Sequence, residues 1–238
     1  MQYRSGTMRA VLFDVDGTLI KAGGAGREAL ARGVARVLGA PLDALRAHAR
    51  AVDFRGRTDE LLIEELVRRA GGVPEAGLDA RVVAAYLDEL VLALAEVEVE
   101  VLPGVHELLA ALELREDVAV GLLTGNVREG ARRKLDAVGL GWLAARDGGF
   151  AEDGRERDAL ARAAMARLAA QGVPAGRVVV IGDTPHDVDC ARACGAVAVA
   201  VATGQYPREA LLADRPDHFF EDLSDTDRVL RALLGGGA

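Results

Sequence analysis

The sequence predicts an α/β fold: a parallel sheet wrapped by helices, with an all-helical unit inserted near its start. Three observations point there. Short, continuously apolar runs alternate with helical patterns over most of the chain, as strands buried on both faces do. Early in the chain four helical patterns follow one another with no strand between them, which marks an insertion. Just past several apolar runs come Asp, Thr, Asn and Gly, at the carboxyl ends of strands, where open α/β sheets bind ligands.

The elements follow in order. "RAVLF" (9–13) is the first strand, ending in "DVDGT". Alternate side chains of an extended segment share a side, so Asp14 and Asp16 face the same region. Two acids that close are costly unless a cation lies between them or one keeps its proton. From 22 to about 97 come the helical patterns "GREALARGVARVLG", "PLDALRAHARAV", "TDELLIEELVRRAGG" and "PEAGLDARVVAAYLDELVLALAEV". "VEVEVLPGV" then reads as an extended return path. The spacing gives an insert over 21–101 and a core formed by 1–20 and 102–238. The remaining strands are "VAVGLL" (118–123), "RVVVIG" (177–182), "VAVAV" (197–201) and a short "DHFF" (217–220), with helical patterns before the first three of them. A closing helix runs from about Ser224 to Gly235, and "GGGA" is a frayed tail.

The 238 residues are half hydrophobic, enough for a sizeable core. The net charge of −8, from 37 acidic and 29 basic residues, argues against nucleic acid or an anionic membrane as partner. An anionic substrate would then need local positive charge from a metal ion or placed arginines. The two cysteines, Cys190 and Cys194, are four apart on a helical pattern and read as small packing residues, without a disulfide framework. "MQYRSGTMR" lacks the apolar core of a signal peptide, and no run is long enough to cross a membrane. A reducing, cytoplasmic location is expected.

The strand ends carry the chemistry. Asp14, Asp16, Gly17 and Thr18 follow the first strand; Thr124, Gly125 and Asn126 the second; Asp183, Thr184 and Asp187 the third; Thr203 and Gly204 the fourth. Carboxylate oxygens with room for water suit Mg²⁺, and a hydroxyl beside free N–H groups suits a phosphate. Together they point to phosphoryl transfer.

"FDVDGTLI", "LLTGN" and "VIGDTPHDV" resemble three motifs of the haloacid dehalogenase superfamily, in its phosphoglycolate-phosphatase-like branch. The resemblance covers almost the whole chain. It implies a Rossmann-like core and makes the insert similar to that family's C1 cap. It implies an Mg²⁺-dependent phosphatase of a small phosphorylated metabolite, acting as a monomer or homodimer. By resemblance Asp14 is the nucleophile, forming an aspartyl-phosphate, and Asp16 the general acid and base. Mg²⁺ is held by Asp14, the backbone carbonyl of Asp16, and Asp183, with Asp187 a ligand through water or an orienting group. Thr124, Gly125 and Asn126 bind phosphate oxygens.

One motif departs. The family's lysine before the last motif has no counterpart; "DGRERDALARAAMARL" offers Arg155 and Arg157. Arg157, at the start of the helical pattern, is the expected substitute, since arginine keeps its charge and grips phosphate through two N–H groups. Lys134 lies too early for that role. In the insert, "DFRGRTDELL" offers Arg57 to a substrate carboxylate or second phosphate, and Thr58 as a helix cap. Asp16 speaks against the family's dehalogenases, and the phosphonatases, which need a lysine from the cap, are disfavoured because the only lysine there is Lys21 at its entry, the middle of the insert carrying arginines instead. A sugar-phosphate mutase is the alternative within the superfamily, and a non-catalytic protein that binds a phosphorylated ligand is the alternative outside catalysis.

Overall fold

The computed structural model describes residues 8–74 and 77–235; the expected frayed tail beyond Gly235 and most of the leading segment lie outside them. The chain runs β1 (Arg9–Phe13), β2 (Ile20–Lys21), α1 (Ala25–Leu38), α2 (Leu42–Ala51), α3 (Asp59–Arg69), α4 (Leu78–Ala95) and β3 (Glu100–Val101). It continues α5 (Val105–Glu113), β4 (Val118–Leu122), α6 (Arg128–Asp136), α7 (Arg157–Ala170), β5 (Val178–Gly182) and α8 (Pro185–Ala193). β6 (Val197–Val201), α9 (Arg208–Ala213), β7 (His218–Phe220) and α10 (Thr226–Leu234) complete it.

Five strands form a parallel sheet in the order β4-β1-β5-β6-β7. The period of two sorts its side chains between two helical layers. Val11, Phe13, Val120, Leu122, Val179 and Ile181 join Leu108, Leu112, Leu135 and Val229 on one face. Ala10, Leu12, Val178 and Val180 join Leu160, Ala164, Leu168 and Val188 on the other. This two-sided burial explains why the strands read as unbroken apolar runs.

α1 to α4 bury a separate cluster of their own, including Leu30, Val34, Ile63, Leu66, Val82 and Leu90. The chain leaves the sheet for these helices through β2 and returns through β3. The two pair antiparallel, Ile20 with Val101 and Lys21 with Glu100. The extended return path predicted from "VEVEV" is thus a strand only at its last two residues, because Ile20–Lys21 offers a partner only two residues long.

β1 lies between β4 and β5, with Phe13 level with Leu122 and Ile181. The chain visits β4 and then crosses to β5 on the other side of β1. Strand order therefore switches at β1, and the residues past Phe13, Leu122 and Gly182 meet at one sheet edge.

Gly104, just after β3, has φ 80°, and a Cβ there would overlap the Leu223 carbonyl and the Ser224 nitrogen. Gly104→Ala is expected to destabilise the fold by about 2–4 kcal/mol, from the left-handed backbone and the collision together. Urea unfolding followed by circular dichroism measures it; a midpoint equal to wild type would show that the Leu223 segment gives way freely.

Candidate active site

Asp14 follows β1 and its N–H donates to the Ile181 carbonyl (2.9 Å). Asp183 follows β5. Gly17 turns the chain between them with φ 87°, and a Cβ there, or on Gly204, would strike the Asp183 carboxylate. Asp187 is fixed by the start of α8. It accepts from the Thr184 N–H (3.0 Å) and hydroxyl (2.7 Å), a reciprocal cap with Pro185 at the first helical position. Carboxylate oxygens of Asp14, Asp183 and Asp187 lie within 4.8 Å of one another, and all three residues are buried.

Burial, partly offset by Arg157, raises the Asp14 pKa to about 7. Burial and the neighbouring Asp14 raise Asp183 well above the usual carboxylate range. Both shifts say that this cluster carries more negative charge than its protein surroundings balance. Buried hard oxygen donors with an unbalanced charge fit a divalent cation such as Mg²⁺.

The cation the protein does supply is Arg157, the first residue of α7. Its guanidinium pairs with Asp187 and lies 3.9 Å from Asp14. Burial disfavours its charge, but Asp187 and Asp14 more than offset this and its pKa is raised. Arg155 points elsewhere, pairing with Glu64 and Glu60 of α3. Of the two candidates for the missing lysine, only Arg157 reaches the acidic cluster.

From the β4 side, Thr124 is fully buried. Its oxygen accepts from the Asn126 side-chain amide (2.8 Å), which leaves its hydroxyl proton to point elsewhere. Gly125 is pressed against the helical unit: its carbonyl accepts from the Asp59 N–H (2.7 Å), and a Cβ there would collide with the Arg57 carbonyl. Thr58 caps α3, accepting from the Leu61 N–H (3.4 Å), and donates to the Arg155 carbonyl (2.7 Å).

Two placements depart from the sequence reading. Lys134, too early in the chain for the missing-lysine role, is buried in the site. It does not approach that role; its ammonium donates to Asp16 Oδ2 (2.6 Å) and Asn126 Oδ1 (2.7 Å). Asn126 Nδ2 also donates to Asp16 Oδ2 (2.9 Å). The Asp16 carboxylate is thus turned to α6 and stands apart from the three-acid cluster. A signal for Lys134 existed: it falls on the buried face of α6 with Gly130, Ala131 and Leu135, where a lysine needs a partner. Arg57 lines the same cavity, but its guanidinium is taken up by Glu65 (2.5 Å) and backbone carbonyls.

Asp59 is a further buried acid, which nothing in the local sequence pattern singles out. It accepts from the Val127 N–H (2.8 Å), and burial, partly offset by Lys134, lifts its pKa to about 6. Asp14, Asp16, Thr124, Lys134, Arg157 and Asp183 open on one cavity of about 410 Å³ between the sheet edge and α1, α3 and α4, with Asp59 in its lining.

Residues 8–195 match the haloacid dehalogenase-like hydrolase family. The chain is 32% identical over 230 residues to a phosphoglycolate phosphatase of Synechococcus elongatus, covering 95% of this chain and 99% of that protein. A hydrolase from Pseudomonas syringae superposes with a TM-score of 0.67 at 23% identity, over 94% of this chain and 98% of that one. CbbY from Rhodobacter sphaeroides, solved in complex with phosphate, does so at 0.68 and 20% identity, over 92% and 96%. These two share the fold.

The raised Asp59 pKa sets a pH dependence. A carboxyl that is harder to ionise in the folded state stabilises most at low pH, and that stability falls as pH rises from about 4 to about 6. Asp59→Asn keeps an acceptor for the Val127 N–H and removes the titration. Its stability relative to wild type should improve by on the order of 2 kcal/mol between pH 4 and pH 7. Urea melts at the two pH values test this; a pH-independent difference would refute it.

The sheet edge, the acidic cluster and the match across residues 8–195 converge: this chain belongs to the haloacid dehalogenase-like hydrolases.

Proposed function

We propose that this phosphatase hydrolyses a small phosphomonoester through an aspartyl-phosphate on Asp14, with a divalent cation, Mg²⁺, as its cofactor. One observation carries the reading: Asp14 stands buried at the strand switch, within 4.8 Å of Asp183 and Asp187 and beside the guanidinium of Arg157. The printed activity of the Synechococcus relative makes phosphoglycolate the first substrate to examine.

Asp14, the backbone carbonyl of Asp16, and Asp183 would hold the metal, and Asp187 orients the set through Thr184 and Arg157. When bound, the ion supplies positive charge that lowers the repulsion between an anionic nucleophile and an anionic substrate. The Thr124 hydroxyl and the N–H groups of Gly125 and Asn126 bind phosphate oxygens. A carboxylate oxygen of Asp14 attacks phosphorus as the bond to the leaving oxygen breaks. Asp16 gives that oxygen a proton. It then takes one from water, whose oxygen attacks the phospho-aspartate and returns free phosphate and Asp14.

Asp16 must leave Lys134 to do this, so substrate binding and a side-chain rotation belong to the same step. Residues 21–101 act as a cap that excludes bulk water, turning about the β2–β3 pair.

Asp14→Asn should reduce Mg²⁺-dependent phosphate release from an aryl phosphate by at least about a thousandfold, and a chelator should do the same to wild type. Retained turnover in the variant would refute the nucleophile. A wild-type protein that binds phosphate analogues but releases no phosphate would mark it instead as a binding protein.

A further inference from the structure

The cavity holds six cationic side chains, and their partners differ. Arg157 serves the acidic cluster and Lys134 serves Asp16. Arg55 is paired with Asp53 and Arg57 with Glu65. Lys21 is exposed. Among the described residues Arg27 pairs with no carboxylate, and its Nε is buried without a hydrogen-bond partner. Its guanidinium is stacked over the Phe54 ring, 4.7 Å from the centroid, which fixes its plane while leaving its N–H groups unused.

Arg27 belongs to the first turn of α1, and that turn is built without side chains in the way. Gly23, Gly24 and Gly26 all line the cavity. Gly24 is the N-cap and provides no side-chain hydrogen bond. Among the described residues no acceptor meets the N–H groups of Gly26 and Arg27, so the positive end of a 14-residue helix opens on the cavity. A second, independent feature faces the same space. Tyr86 is fully buried and lines the cavity, yet its hydroxyl has no partner. A buried polar group left alone is costly, and a ligand atom would satisfy it.

We infer that the first turn of α1, with Arg27 and Tyr86, binds a second anionic group of the substrate, at the end remote from the phosphate. The inference rests on the phosphatase reading above and narrows it to phosphomonoesters with a carboxylate or second phosphate a few bonds away. It also moves the specificity role from Arg57, already neutralised, to Arg27. A planar carboxylate suits a guanidinium with adjacent N–H donors. Discrimination follows because an ester lacking the anion leaves the Arg27 charge and the helix end unanswered.

The test compares 2-phosphoglycolate, 2-hydroxyethyl phosphate and a short diol bisphosphate, with Mg²⁺ and the full chain. Wild type should favour an anion-bearing ester by at least tenfold in kcat/KM over the hydroxyl ester. Which of the two it favours identifies the anion as carboxylate or phosphate. Arg27→Gln should shrink that ratio at least tenfold, mainly through KM; Arg27→Lys should restore part of it, and Tyr86→Phe should shrink it less. A wild type that hydrolyses all three without preference overturns the subsite and leaves the phosphatase reading standing, as does an unchanged ratio in a folded Arg27→Gln. Hydrolysis of none overturns both. Should Arg27→Gln fail to fold, the wild-type and Tyr86→Phe ratios decide.

Discussion

The head of the sheet depends on one buried cation, the guanidinium of Arg157. Two carboxylates under 5 Å apart repel by about 3 kcal/mol even at an effective dielectric constant near 20, and here there are three. The backbone offers part of the balance, through the N–H of Thr184 to Asp187. Arg157 adds to it from the first turn of α7, pairing with Asp187 and standing 3.9 Å from Asp14. The raised pKa of Asp14 and Asp183 shows that it does not supply enough. That deficit is what gives the site its appetite for a further positive charge.

A second balance operates a few ångströms away. Asp16, two residues past Asp14, is held by Lys134 and Asn126. The two acids that the sequence sets side by side are thereby separated, one turned to the α7 cation and one to the α6 cation. Both cations lie on buried helix faces, and burial alone would push the Lys134 pKa down. Asp16 and Asp59 reverse that and raise it, so the ammonium stays charged between them.

Most of the sheet was legible in the sequence because parallel strands declare themselves by continuous burial. The runs at 9–13 and 197–201 match β1 and β6 residue for residue. The acids and hydroxyls past the strand ends were legible for a related reason: a sheet edge gathers whatever follows its strands. What the one-dimensional pattern could not show is reach. Lys134 enters the site along a side chain that starts on the far end of α6, and Arg57, promising by position, is neutralised by Glu65 in the second turn of α3. Arg155 and Arg157 are two apart and look equivalent in the string. The start of α7 points one inward and the other to Glu64. Pairing of this kind is settled by helix phase and by neighbours distant in the chain, and neither is visible in local composition.

The two-residue ladder of β2 and β3 carries an implication for how such a molecule diversifies. Entry and exit of the whole helical excursion are adjacent and already hydrogen-bonded, and the excursion fills its own interior. The sheet therefore does not register how long the detour is or what shape it takes. The covalent detour begins and ends at one two-rung ladder, and the remaining contacts with the core, such as Asp59 to Gly125 and Thr58 to Arg155, gather around the site.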